Sequence, residues 1–389
     1  MGISVIVAVL VTVLVGWYTR EYQPLHQTVI KVNDAEFDMD YYVKALKLYG
    51  MDQSEDYMYA LANDVIVFIV RDELVRQGSA KLGISVSEDA VDDELKSRDP
   101  PLTDDYRDLV RTKLLIRRLS NEYIDPQVPV VAEQRHIMAM FLESESQVEE
   151  VKARLDNGED FTELAGEFSL ESSSKSEGGD LGWQPEGILT IISGTPVLDE
   201  YAFSSEIGIL SPPIQDETRA KDVGYWLIKV LERREDSDEA HVQAILLGSA
   251  QEARMIKDRL DAGEDFAALA EEYSQHAQFI KQGGDFGWLA LGDMSTAFDG
   301  FAHDLGVEVE MLSEAIRDEA ATTEGGYWLV KVSDIDDNKE LVDEDRDLLK
   351  SEALNEWASS LLDDPENEYD DSYLTAEKKE WAVQRATGG

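Results

Sequence analysis

Few side chains in this 389-residue chain have chemistry to offer. There is no cysteine, which excludes disulfides, thiolate nucleophiles and cysteine-based zinc sites. The five histidines, His26, His136, His241, His276 and His303, show no metal-binding spacing of the HExxH kind. Two of them recur in register. His136 and His241 stand 105 residues apart (241 − 136), and the same offset carries GGDLGW (178–183) onto GGDFGW (283–288). A histidine and a glycine-rich word that repeat together raise the question of whether either one does chemistry.

The elements that must position them repeat as well. From His136 to Trp183 the chain matches His241 to Trp288 without gaps, and NGEDFTELAGEFS parallels AGEDFAALAEEYS. Each copy reads as an apolar strand (IMAMFL; VQAILL), then an amphipathic helix stopping at Gly158 or Gly263. A second helix is capped by Asp160 or Asp265. A polar loop, the glycine word, a variable segment and a closing strand follow, the last being GYWLIKV (224–230) or GYWLVKV (326–332). A repeat of this length is a duplicated α+β domain, too long for a solenoid unit. The glycines suit a tight loop needing φ > 0 or close backbone approach, so the hexamers read as fold-forming turns.

Upstream, ISVIVAVLVTVLVGWY (3–18) is an uncharged apolar run followed by Arg20. It is slightly short of the roughly 20 residues that span a bilayer. With no basic leader and no A-x-A-like cleavage site, it reads as an uncleaved membrane anchor rather than a signal peptide. VIKVNDAEF (29–37) predicts a strand with an Asn-Asp turn. Leu61, Val65, Phe68 and Ile69 recur at helical spacing, and Gly83 is a C′ glycine. Ser87 caps the next helix, and Pro100-Pro101 break it. DPQVPV (125–130) is a linker. After the second copy, EDRDLLKSEALNEWASSLL (344–362) and EKKEWAVQRA (377–386) predict helices packed on the body.

The chain carries 82 acidic and 35 basic residues, a formal net charge of -47. Such a surface repels nucleic acid and anionic lipid, and no basic patch offsets it. It reads as a heavily solvated surface, with a site for cations or basic substrates as the alternative.

Taken together, the words G-E-D-F-x-x-L-A-x-E-[FY]-S, G-G-D-[LF]-G-W and G-Y-W-L-[IV]-K-V resemble the parvulin-type (PpiC) peptidyl-prolyl cis-trans isomerase domain. The arrangement is similar to the SurA/PrsA group of exported foldases, with residues 29–124 resembling that group's N-terminal helical chaperone region. The resemblance implies an apolar proline pocket beside a polar network of two histidines and an Asp or Cys. The pocket positions fall at Met294 and Phe298 in the second copy and at Leu189 and Leu198 in the first, with Phe203 and Phe301 at the following aromatic position. The Asp/Cys position falls at Glu171, or at Ser172 counted back from Gly178, and its aligned residue in the second copy is His276. The first histidine is His136 or His241; counting back from the helix puts Ala139 or Ala244 there instead. Where the family has its closing histidine, this chain has Trp226 and Trp328. The candidate catalytic residues are thus His136, Glu171 and Ser172.

The expected fold is α+β: an N-terminal transmembrane helix (1–24), a SurA-like helical domain (25–130), two tandem parvulin-like domains of small antiparallel sheet plus helices (131–235 and 236–338), and a C-terminal helical segment (339–389). The resemblance implies a membrane-anchored foldase, its soluble part outside the cytoplasm, isomerising X-Pro bonds in unfolded or nascent exported polypeptides. A non-catalytic holdase is the alternative, because an indole N–H cannot accept a hydrogen bond. No metal, cofactor or nucleic acid is expected.

Overall fold

The computed structural model describes residues 14–387 apart from 17, 52, 235 and 236. Among the described residues no helix is long and apolar enough to cross a membrane. The transmembrane helix expected over 3–18 is therefore corrected. Most of that run, 3–13 and 17, lies outside the described residues, and at Tyr18 the backbone enters a short π turn, Tyr18–Tyr22. The rest is mixed helix and sheet in two compact units, Met1–Pro129 with Arg346–Gly389, and Val130–Asp345.

The first unit is mainly helical. Asp38 and Ser54 cap helices Met39–Tyr49 and Glu55–Lys81, each accepting a backbone N–H in the first turn. Ser87 does the same for Glu88–Ser97. The long helix ends where the sequence places its stop. Gly83 has φ +74, its N–H bonds to Ala80 and that of Ile84 to Ser79, which is a Schellman closure. Strands Thr28–Val32 and Ala35–Asp38 pair as a hairpin about the expected Asn-Asp turn, with Asn33 at φ 51, and Tyr369–Asp370 adds a third strand. Val29, Ile30, Leu46, Val65 and Ile69 share one core with Leu374, Ala382 and Val383 of the C-terminal segment. Trp357 closes on Gly78, where an added Cβ would come within 2.9 Å of the indole.

The second unit holds both copies of the repeat. The first copy contributes strands β1 (Val131–Leu142), β2 (Asp180–Pro185), β3 (Ile214–Lys221) and β4 (Gly224–Arg233). The second contributes β5 (Glu239–Leu247), β6 (Asp285–Ala290), β7 (Ile316–Asp318) and β8 (Thr323–Glu340). These form two four-stranded antiparallel sheets in the orders β2-β1-β8-β3 and β6-β5-β4-β7. Each copy's closing strand completes the other copy's sheet. Trp328 of β8 lies opposite Phe141 of β1, and Trp226 of β4 lies opposite Leu246 of β5. The sequence repeats and the sheets are thus different partitions of the chain.

Matching helices cover one face of each sheet. Ser144 and Ser249 cap Glu145–Asp156 and Ala250–Asp261, while Asp160 and Asp265 cap Phe161–Phe168 and Phe266–Tyr273. The hexamers enter β2 and β6 through left-handed glycines: Gly178, Gly179 and Gly182 have φ of +62, +86 and +74. The Gly179 carbonyl accepts from Ala139 N at 2.7 Å, and a Cβ on Gly179 would meet Phe161 at 2.7 Å. A side chain there would push the loop off the strand it pairs with, so the hexamer is a structural turn.

Candidate functional site

Along β1, successive side chains alternate between the two faces of the sheet. Ile137, Ala139 and Phe141 join Trp328, Val330, Val332, Leu189, Leu198 and Ala202 in one cluster, the face on which the pocket was expected. Met140 and Leu142 join Val148, Val151 and Leu164 in a separate cluster beneath the helices. His136 has the parity of Met140, so it stands on the helix side, away from Leu189 and Leu198. The same holds in the second sheet. Val242, Ala244 and Leu246 face Trp226, Phe286 and Phe298, and His241 has the parity of Ile245 on the other side.

The repeated histidines have local partners. His136 Nε2 lies 3.3 Å from Asp180 Oδ1 and its Nδ1 2.5 Å from Ser333 Oγ. His241 Nε2 lies 2.8 Å from Asp285 Oδ1. Asp180 and Asp285 are the hexamer aspartates, and each also accepts from the glycine two residues on, Gly182 or Gly287. An edge contact to Trp183 and a tilted contact to Trp288 complete the arrangements, with ring centroids 5.5 and 5.4 Å from the imidazoles. Histidine, aspartate and tryptophan together brace the turn against the strand.

Glu171 is the N-cap of the short helix Ser172–Ser176, accepting from Ser174 N and, at 2.7 Å, from Ser173 Oγ. Its other oxygen lies 3.5 Å from Arg219 Nη2. Ser172 is exposed. Glu171 and His136 share no hydrogen-bond partner. Leu189 and Leu198 are brought together, each nearly fully buried against Trp328, and Phe203 packs at the margin under the Arg135 guanidinium. In the second sheet Phe298 is fully buried, with Met294 and Phe301 partly buried around it.

Both pocket faces are built on a tryptophan. Trp328 is 1% exposed, lies tilted against Phe141 with ring centroids 4.8 Å apart, and donates its indole N–H to Asp216 Oδ2 at 3.0 Å. Thr195 Oγ1 donates to the same oxygen at 2.9 Å. Trp226 donates to Asp318 Oδ2 at 2.8 Å, and Ser295 hydroxyl donates there too. The buried carboxylates Asp216 and Asp318 escaped the sequence reading. Their signal was present, since each precedes its copy's tryptophan at the same spacing, but the bonds run between copies.

His276 is the polar group of the second pocket face. Its ring stacks on Phe279 at 5.2 Å and lies 5.0 Å from Phe286 and 5.7 Å from Trp226. Burial among these rings pushes its imidazole below the ordinary histidine range. Its Nδ1 is buried without a hydrogen-bond partner. Among the described residues no cluster of His, Asp or Glu is arranged to hold a metal ion.

Two family models, each described as the PPIC-type PPIASE domain, match this chain, one over residues 136–232 and the other over 225–335. A Chaperone SurA from Methylobacillus flagellatus is 27% identical over 318 residues, covering 68% of this chain and 68% of that protein. A Foldase protein PrsA from Caldanaerobacter subterraneus is 27% identical over 229 residues, covering 54% of this chain and 70% of the relative. Across three SurA relatives the matched stretch covers from 52% to 68% of the relative's length. The solved structure of a PrsA peptidylprolyl isomerase from Bacillus anthracis aligns over 82% of this chain and 94% of that chain, at 15% identity and a TM-score of 0.32. With one match on each of these two stretches, the chain carries two PPIC-type PPIase domains.

Proposed function

We propose that this protein is a SurA/PrsA-like chaperone that holds unfolded polypeptides, and that its PPIC-type units bind client segments without isomerising them. One observation supports this above others. On both pocket faces the positions open to the resemblance's histidines carry Ala139 with Trp328 and Ala244 with Trp226, while His136 and His241 lie on the opposite faces. Speeding rotation about an X-Pro bond, with its barrier of roughly 18–20 kcal/mol, requires a site that favours the twisted amide over both planar forms. On the first face, Ala139 and a Trp328 whose indole N–H is already bonded to Asp216 offer no free polar group to aim at that amide. Apolar contact with a client survives such a change. A location outside the cytoplasm belongs to the same proposal and rests on the likeness to the SurA and PrsA group.

The test is a pair of assays on one preparation. In refolding limited by proline isomerisation, the protein should leave the slow phase unchanged. At the same concentration it should suppress aggregation of a chemically unfolded client. Acceleration of the slow phase would overturn the non-catalytic reading.

A second reading, isomerisation at the second unit alone, is favoured by His276, whose Nδ1 is unpaired among Trp226, Phe279 and Phe286. It requires acceleration that disappears in His276→Phe while aggregation suppression persists.

A further inference from the structure

The two closing strands are nearly the same strand. GYWLIKV and GYWLVKV differ only at Ile228 and Val330, by one methylene. Their partners are equally matched. Trp328 and Val330 face Phe141 and Ala139, and Trp226 and Ile228 face Leu246 and Ala244. Each tryptophan needs a buried aspartate, and each copy supplies one, Asp216 or Asp318, at the same distance ahead of its own tryptophan. Over these seven residues nothing in the side chains restricts either strand to the sheet it occupies; beyond them β8 runs on alone, Asp334 to Glu340 pairing with β1 and Ser333 meeting His136. Both family matches, 136–232 and 225–335, are moreover continuous stretches that contain their own closing strand.

We propose that the chain folds into two strand-pairing isomers: the crossed one described above, and an uncrossed one in which β4 completes the β1 sheet and β8 completes the β5 sheet. Exchange keeps strand direction and the alternation of faces, so every buried side chain keeps its face. Besides the β8 extension, what distinguishes the isomers is the junction between the sheets. There the segments leading into the closing strands are drawn out alongside each other, with Lys221 opposite Thr323 and Gly224 opposite Asp318. In the uncrossed isomer each segment would instead turn back within its own copy.

The junction therefore carries the selecting contacts. Lys221 Nζ donates to the Glu324 carbonyl at 3.0 Å and to that of Gly325. Among the described residues it has no carboxylate within ion-pair distance, although it is almost fully buried. Thr323 Oγ1 donates to the Val223 carbonyl at 2.6 Å, and Thr322 Oγ1 to Asp222 at 3.1 Å. Tyr225 donates to Glu143 at 2.9 Å and accepts from Arg317 at 2.8 Å, tying both copies together.

The absence of native cysteine allows a direct test in the full chain. Met138→Cys with Lys331→Cys reports the crossed pairing, because these residues lie opposite each other. Met138→Cys with Lys229→Cys reports the uncrossed one, Lys229 being the counterpart of Lys331 in β4. Gln184→Cys with Lys229→Cys, on strands paired in neither isomer, is the control. Each variant is unfolded, refolded reduced, oxidised, and its intramolecular disulfide quantified in the monomer. The crossed pair should close in most molecules. The uncrossed pair should close about tenfold or more above the control, a minor but populated state. Adding Lys221→Gly, which removes the ammonium at the junction and supplies a turn residue, should raise that fraction further. Should Met138→Cys misfold, His136→Cys with Asp334→Cys and His136→Cys with Glu232→Cys give the same comparison, pairing half-buried His136 with exposed positions. Closure of the uncrossed pairs at the control level, with and without Lys221→Gly, overturns the proposal. So does closure of the uncrossed pairs alone.

Discussion

The indole nitrogen of Trp328 donates to Asp216 at 3.0 Å, a bond from the closing strand of the second copy to a buried carboxylate of the first. Its mirror, Trp226 to Asp318 at 2.8 Å, runs the other way. The pair of bonds fixes a tryptophan on each pocket face and links the copies in both directions.

Asp216 is satisfied from several sides, by Trp328, Thr195, and the backbone N–H groups of Thr218 and Arg219. Asp216→Ala strands those donors in a buried site and should lower unfolding free energy by about 2–3 kcal/mol. Urea denaturation of the variant against the parent chain measures it, and a loss within experimental error would mean the carboxylate is not the anchor of Trp328.

His136 separates turn bracing from catalysis. Its partners are Asp180 and Ser333, on the face away from Leu189. His136→Ala should cost about 1 kcal/mol of stability and leave aggregation suppression unchanged. Parallel melting and light-scattering measurements check both halves, and a loss of chaperone activity in a folded variant would return the histidine to the working site.

Burial pushes the Lys221 amine down from its ordinary 10.5 to about 8. The folded chain then holds this proton less tightly than the unfolded chain. Between about pH 8 and 10.5 the unfolded state binds more protons, so this group's contribution to stability rises with pH across that window and is level below it. Lys221→Met should remove that rise, on the order of 2–3 kcal/mol. Denaturation midpoints of both proteins from pH 7.5 to 10.5 provide the comparison, and parallel curves would contradict it.

The hexamer glycines should differ from one another. Gly179 combines φ +86 with contacts a Cβ would make to Phe161 at 2.7 Å and the Ala139 carbonyl at 3.1 Å, whereas at Gly182, φ +74, the space is open. Gly182→Ala should cost about 1 kcal/mol from backbone strain alone. Gly179→Ala should cost roughly 3 kcal/mol once the clash is added. Equal melting-temperature losses in the two variants would show that strain accounts for both.

Local features were legible before any coordinate. The duplicated α+β module, the aspartate caps at Asp160 and Asp265, the Gly83 helix stop and the turn character of both hexamers follow from short stretches of sequence. Each depends on neighbours a few residues away, so the stretch itself carries the information. The exception was the N-terminal run, where hydropathy alone suggested a spanning helix that the described residues do not contain.

Tertiary structure alone decided which face His136 occupies and which copy completes which sheet. Strand parity reverses with a shift of one residue, so a histidine three positions from the counted site can point into the pocket or away from it. Only pairing with β2 and β8 fixes that choice. The crossing of β4 and β8 leaves no mark in GYWLIKV and GYWLVKV, because over these seven residues the two strands present almost the same side chains. The contacts that distinguish the sheets lie at the junction, among Lys221, Glu324, Tyr225 and Glu143, and along the β8 extension at Ser333, and they exist only once the chain has folded.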